Sequence, residues 1–560
     1  MPWEHIVRTK RQARQHALDD ASQFDVVQTA PALDIGEYDP ATLLARIARG
    51  ELTAEHTNCM SEALFDRAFK RAHELDDHLA TTGRVVGPLH GLPMSVKDQF
   101  DVKGVDTTLG YVGRSLRPAE HDAAMVVMLE SLGAVILTKT AIPQSILVSP
   151  MQHQSRTATS SWHTNKWNET ESPLWGVTTH PGRPHLTPGG SSGGEAALLA
   201  LSGSLVGWGT DIGGSIRLPA ALCGLFGLKP SSTRFPYSGV PVSHEGQSHV
   251  PSSVGPLARD LSTLTTVTKE CLLAEPWNLD PNVTPLPWRE DVYQSIQQRP
   301  LKIGIIFDDG VVKPHPEIET AVRLAADWLQ TAGHEIVVWD ASDHIDCIAI
   351  MDQMYRADGG EDITRDVEAA GEPMIPHVAA LVESSKPISV YDYWQLNRQK
   401  IRAQESYNKK WNESAALPPW SAGDGSQKQQ SQSSRLVDVL ISPVAPHTAM
   451  PHRTARWTGY TKVWNFLDYA ALSIPFGTLE QGSSFGARLP KIYAGYSRER
   501  YLRDYVPRND MDKWNLGLYD PKLMDGLPIG LQIIGRRFEE ERVLGVAKVI
   551  ENVIADHCKA

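Results

Sequence analysis

From about residue 121 to the C-terminus, short apolar runs of strand length alternate with amphipathic stretches of helix length, and this alternation constrains the fold more than any other feature. A helix from His121 (AAMVVMLESLG) stops at Gly133 and gives way to the apolar run AVILTKT. The pattern returns at LKIGIIFDD, a helix from about Pro316 to Thr331, and HEIVVWD. It returns again at VDVLISP and PIGLQIIG, before a closing helix in EEERVLGVAKVIENVIADH. Such interleaving specifies one large α/β domain, a central sheet covered by helices. Upstream, Leu52 to Leu79 reads as an amphipathic helix with Thr53 as N-cap and Leu64, Ala68, Ala72 and Leu75 at helical spacing. Residues 1–80 are therefore expected to be a helical segment packed outside a core formed by 81–560. Two stretches break the pattern: the polar segment Gln152 to Ser172, and the low-complexity run Ser421 to Arg435 (SAGDGSQKQQSQSSR).

Composition removes several classes of function. Hydrophobic residues at 41% and charged ones at 21% suit a globular chain with a sizeable core. The 66 acidic residues against 54 Lys plus Arg give a formal charge of −12, which repels phosphate backbones, so no nucleic-acid partner is expected. Cys59, Cys223, Cys271, Cys347 and Cys558 are scattered and show no zinc or redox spacing. Reduced thiols follow. No run approaches the roughly 20 apolar residues of a membrane span, and MPWEHIVRTKRQARQHALDD lacks the apolar core of a secretory signal, so a cytoplasmic location and no membrane partner are expected. Without a secretory route, the sequons at Asn168, Asn282 and Asn412 carry no weight.

Chemistry concentrates in three blocks. TPGGSSGGE at Thr187 to Glu195 and GTDIGGSIRLP at Gly209 to Pro219 set serines among glycines, residues used where φ is positive or backbones approach closely. Ser215 leads into Ile216, Arg217 and Leu218, with Pro219 tolerated in a first helical turn, so it is expected at a helix N-terminus, where free amides favour an oxyanion. In GPLHGLPMSVKDQFDVKG, Lys97 follows the strand-like LPMSV. A buried lysine can fall several units below about 10.4 and serve as a neutral base. Cys223, in LPAALCGLFGL, reads as a packed thiol, and His244 and His249, in SHEGQSH, fit no helical metal-ligand spacing. No metal and no cofactor is expected.

Together these blocks resemble the amidase-signature family, in particular its fungal acetamidase and fatty-acid-amide-hydrolase branch, from about Leu52 onward. The resemblance implies a mixed central sheet and a Ser–cis-Ser–Lys triad of Ser215, Ser191 and Lys97. It also implies an oxyanion hole of the Ile212, Gly213, Gly214 and Ser215 amides, and a substrate contact from the Ile146 carbonyl. Ser192 would hold the loop, and Asp211 and Arg217 would form an orienting ion pair. The expected partner is a small-molecule amide, cleaved to an acid and ammonia or an amine through an acyl-enzyme, and relatives suggest a homodimer. Between Ile146 and SPLWG the chain departs from the family pattern with the polar segment, which is expected to border the acyl pocket. Two rivals stay open: an α/β-hydrolase esterase using Ser192, since Gly190, Ser192 and Gly194 fit GxSxG, and a non-hydrolytic amidotransferase subunit.

Overall fold

The protein was analysed as a computed structural model, which describes residues 1–21, 57–146, 169–420, 435–479, 491–492 and 501–559. The strands in chain order are β1 (Met60–Ala63), β2 (Pro93–Lys97), β3 (Val135–Thr140), β4 (Glu171–Ser172), β5 (Gly176–Val177), β6 (Val206–Asp211) and β7 (Phe226–Lys229). Then follow β8 (Ser253–Ala258), β9 (Lys302–Ile305), β10 (Glu335–Val338), β11 (Val439–Pro443), β12 (Ala471–Leu479), β13 (Lys491–Ile492) and β14 (Pro528–Ile534). Apart from the β4–β5 ribbon they form one sheet in the order β1-β3-β2-β6-β8-β7-β12-β14-β11-β9-β10, with β13 beside β12. β2 runs parallel to β3 and β6, and β9 parallel to β10 and β11, while β6–β8, β7–β12 and β12–β14 are antiparallel. The sheet is thus mixed, as expected.

Every residue of β2, β3, β6, β8, β11 and β14 is buried, the signature of strands covered on both faces. Helices 261–273, 316–331 and 540–559 share the main apolar cluster with the strands. A separate cluster joins helix 193–200 to Ile216, Ala220 and Leu257. The helix expected from Pro316 to Thr331 has those limits.

Two element boundaries differ from the sequence reading. The helix expected over 52–79 spans Phe65–Thr82. Before it, Met60–Ala63 pairs antiparallel with Thr138–Thr140, so strand hydrogen bonding claims residues that helical spacing had absorbed, and the sheet crosses the 80/81 division. Thr53 lies outside the described residues. The helix expected from His121 begins at Ala124, because Asp122 is held by Arg67 and by the Lys103 amide while Ala123 stays extended. At the N-terminus, helix 3–21 docks through Ile6 and Val7 on Val112, Leu174 and Trp175, and Arg14 donates to the Met60 carbonyl at 2.7 Å. Among the described residues no helix is long and apolar enough to cross a membrane.

Candidate active site

Two parallel neighbours, β2 and β6, end side by side and deliver the polar groups of the site at their C-terminal ends, where open α/β sheets collect ligands. Lys97 is the last residue of β2; Thr210 and Asp211 are the last two of β6. Lys97 is fully buried, with Nζ 2.7 Å from Ser191 Oγ and 2.8 Å from Thr210 Oγ1. Burial pushes its ammonium down to about 7, against the opposing pull of Asp211, Glu195 and Asp98. The Glu195 carboxyl is pushed up to about 8 by the same burial, although Ser95 and Thr140 donate to it at 2.6 and 2.9 Å. Burial therefore shifts both groups toward their uncharged states.

Ser191 follows a cis peptide bond from Gly190. A side chain at Gly190 would place its Cβ 2.1 Å from the Glu169 carbonyl oxygen, so close approach dictates glycine there. The neighbouring Thr170 hydroxyl donates to the Gly189 carbonyl at 2.9 Å. Glu169 to Ser172, the end of the polar segment that breaks the α/β pattern, are thus buried supports of the glycine block; 147–168 lie outside the described residues. Ser191 and Ser215 line one small cavity of about 20 Å³ together with Ile146, Ile212, Thr210 and His244. His244 and Gln247 also line a larger pocket of about 340 Å³.

Asp211 organises the turn that carries Ser215. Its carboxylate accepts from the amides of Gly214 (2.8 Å), Ile216 (3.1 Å) and Arg217 (3.4 Å), and pairs with the Arg217 guanidinium at 3.0 Å. Both side chains are fully buried. Burial would raise the Asp211 carboxyl, but Arg217 outweighs it and holds the group below the carboxylate range. Arg217 reaches on to Gln532 Oε1, Asn465 Oδ1 and the Thr461 carbonyl.

Asp211 thereby engages one of the four amides, that of Gly214, that were expected to receive an oxyanion. Helix 217–222 starts two residues after Ser215, and its first amides, like that of Gly214, are taken by Asp211. Among the described residues, the amides of Ile212, Gly213 and Ser215 make no hydrogen bond. Glycine is required at 214 by conformation: its φ is +127°, and a Cβ would lie 2.4 Å from Thr461 Oγ1.

The remaining candidates separate from these groups. Ser192 is buried, its Oγ has no partner among the described residues, and its amide donates to the Ser215 carbonyl at 3.1 Å. Cys223 is packed, and burial pushes its thiol up. His249 Nδ1 lies 2.9 Å from the Tyr393 hydroxyl, and His244 Nε2 lies 3.6 Å from Asp358. Sequence reasoning missed Thr210, Glu195 and Gln99, although all three stand inside the quoted motifs. Asn465 and Gln532 carried no signal, because only folding brings them to Arg217.

A family profile described as Amidase matches residues 41–544. The chain belongs to the amidase family. It is an amide hydrolase of the amidase-signature fold. Among its relatives, Amidase 1 of Gibberella moniliformis is 50% identical over 514 residues, covering 92% of this chain and 89% of the relative. An acetamidase of Aspergillus oryzae is 35% identical over 91% of this chain and 86% of its own. A solved fatty acid amide hydrolase superposes with a TM-score of 0.78 at 26% identity, over 99% of this chain and 90% of that one.

Removing Arg217 from this amidase strands a buried carboxylate. Arg217→Ala is expected to lose about 3–5 kcal/mol of stability. A urea midpoint unchanged from the parent would contradict the buried pair.

Proposed function

We propose that Ser215 is the nucleophile, Ser191 the proton shuttle and Lys97 the base of an acyl-enzyme mechanism that converts a carboxamide to a carboxylic acid and ammonia or an amine. The observation that carries this reading is Lys97 Nζ at 2.7 Å from Ser191 Oγ, in a buried setting that pushes the ammonium down to about 7. Ser215 Oγ bonds to the amide carbon while its proton passes to Ser191 and that of Ser191 to Lys97. The carbonyl oxygen takes up the negative charge and is held by the unengaged amides of Ile212, Gly213 and Ser215. As the carbon–nitrogen bond breaks, the proton returns along the relay to the leaving nitrogen. Water, deprotonated by the same relay, then releases the acid and restores the Ser215 hydroxyl. Ser192 and the Asp211–Arg217 pair hold the loops, and the Ile146 carbonyl is assigned to substrate contact, because Ile146 lines the same cavity.

A fluorophosphonate is expected to label the peptide containing Ser215, and Ser215→Ala to abolish labelling and lower kcat by several orders of magnitude. Label on Ser192 with an active Ser215→Ala would sink the assignment. Because the base works uncharged, kcat/KM is expected to rise with pH through about 7 and then level off. A profile flat from pH 5 to pH 9, roughly two units either side, would remove Lys97 from the role. No step uses a metal, so exhaustive chelation should leave turnover unchanged; loss restored by one divalent ion would reopen a metal role for His244 and His249.

A further inference from the structure

The hydrogen-bond directions around Lys97 can be followed outward from the Pro241 carbonyl, which can only accept. Gln99 therefore presents Nε2 to it, at 2.8 Å, and the same nitrogen reaches the Tyr237 hydroxyl at 3.1 Å. That orientation turns Gln99 Oε1 toward Thr210, whose hydroxyl lies 2.7 Å away and gives it its single proton. Having donated, Thr210 Oγ1 can only accept from Lys97 Nζ, at 2.8 Å. One Lys97 N–H is thus committed to Thr210 in either protonation state. Ser191 is the other hydrogen-bond partner of Nζ among the described residues.

We propose that Gln99 and Thr210 are positioning residues that aim the lone pair of uncharged Lys97 at Ser191 Oγ, and so set the direction of the proton relay. The inference rests on Lys97 being the base. An ammonium would donate to both hydroxyls and have no lone pair to receive the Ser191 proton, so only the free amine can face Ser191 as an acceptor. The free amine gives one N–H to Thr210 and turns its lone pair to the Ser191 hydroxyl. The acidic groups around Lys97 have other hydrogen-bond partners. Asp211 is bound by Arg217, Asp98 accepts from the amides of Thr108 and Leu109, and Glu195 accepts from Ser95 and Thr140. None of the three hydrogen-bonds Nζ, so the pairing that aims it at Ser191 falls to Thr210.

The test compares pH–rate profiles of Thr210→Val, Thr210→Ser and Gln99→Glu with the parent, with thermal unfolding recorded for each. Thr210→Val removes the acceptor at nearly constant volume. It is expected to lower kcat by about 10²-fold with KM within about threefold. Its rising limb should move to lower pH, since the ammonium loses a hydrogen bond. Thr210→Ser keeps the hydroxyl and should restore both kcat and limb. Gln99→Glu sets a carboxylate one hydroxyl from Nζ and should move the limb to higher pH by about one unit. A purely structural role would lower the unfolding temperature without moving the limbs in opposite directions. Thr210→Val with the parent's kcat and limb, or Gln99→Glu with an unmoved limb, overturns the proposal. Lys97→Ala separates the two levels. If it stays active, the base assignment itself fails; if it is dead while Thr210→Val is unaffected, only the positioning role fails.

Discussion

The buried ion pair between Asp211 and Arg217 is the interaction on which the candidate site depends. Asp211 closes β6 and gathers three amide donors of the turn behind it, at Gly214, Ile216 and Arg217, passing over Ser215. Arg217 carries the restraint outward to Asn465, Gln532 and the Thr461 carbonyl, which belong to helix 459–466 and to β14. A turn rich in glycine has little conformational preference of its own. The carboxylate supplies one, by satisfying some amides and leaving those of Ile212, Gly213 and Ser215 without a partner among the described residues. Choosing which donors stay free is a stronger role than the flanking ion pair that the sequence suggests.

Burial does the complementary work on the other strand. Among the described residues Lys97 has no carboxylate as a hydrogen-bond partner; its two partners there are hydroxyls, which cannot offset the desolvation of an ammonium. Acidic groups surround it, but each is engaged: Asp98 by backbone amides, Asp211 by Arg217, Glu195 by two hydroxyls. The negative charge that would hold the lysine protonated is thereby weakened, and burial shifts the amine beside Ser191 toward its uncharged form. The same fold elements that bury the strands thus lower the proton affinity of Lys97.

Much of this was legible in the sequence, for physical reasons. The apolar runs that mark β3, β9, β11 and β14 are strands covered on both faces, so their pattern is continuous and plain to read. The glycine blocks advertise backbone that must pack closely, as Gly190 does against Glu169. What stayed hidden depends on long-range pairing. Strand β1 was absorbed into a helix because its partner, β3, lies some 75 residues away and only the sheet rewards the pairing. The fate of the helix-start amides was equally invisible. A dipole argument sees a free helix N-terminus, while the folded chain fills it with Asp211. Thr210 and Gln99 sat inside recognised motifs, but their role is a matter of hydrogen-bond direction, which no spacing encodes.

The central claim, that a serine on the Asp211-organised turn takes up the acyl group, is tested most directly by acid-quenching the enzyme during turnover of an activated amide or ester and locating the acyl group by peptide mass spectrometry. The account expects the acyl mass on the peptide containing Ser215, absent from Ser215→Ala and depleted in Lys97→Ala. An acyl group on Ser192, or full turnover with no covalent acyl species in a Ser215→Ala enzyme, would contradict it.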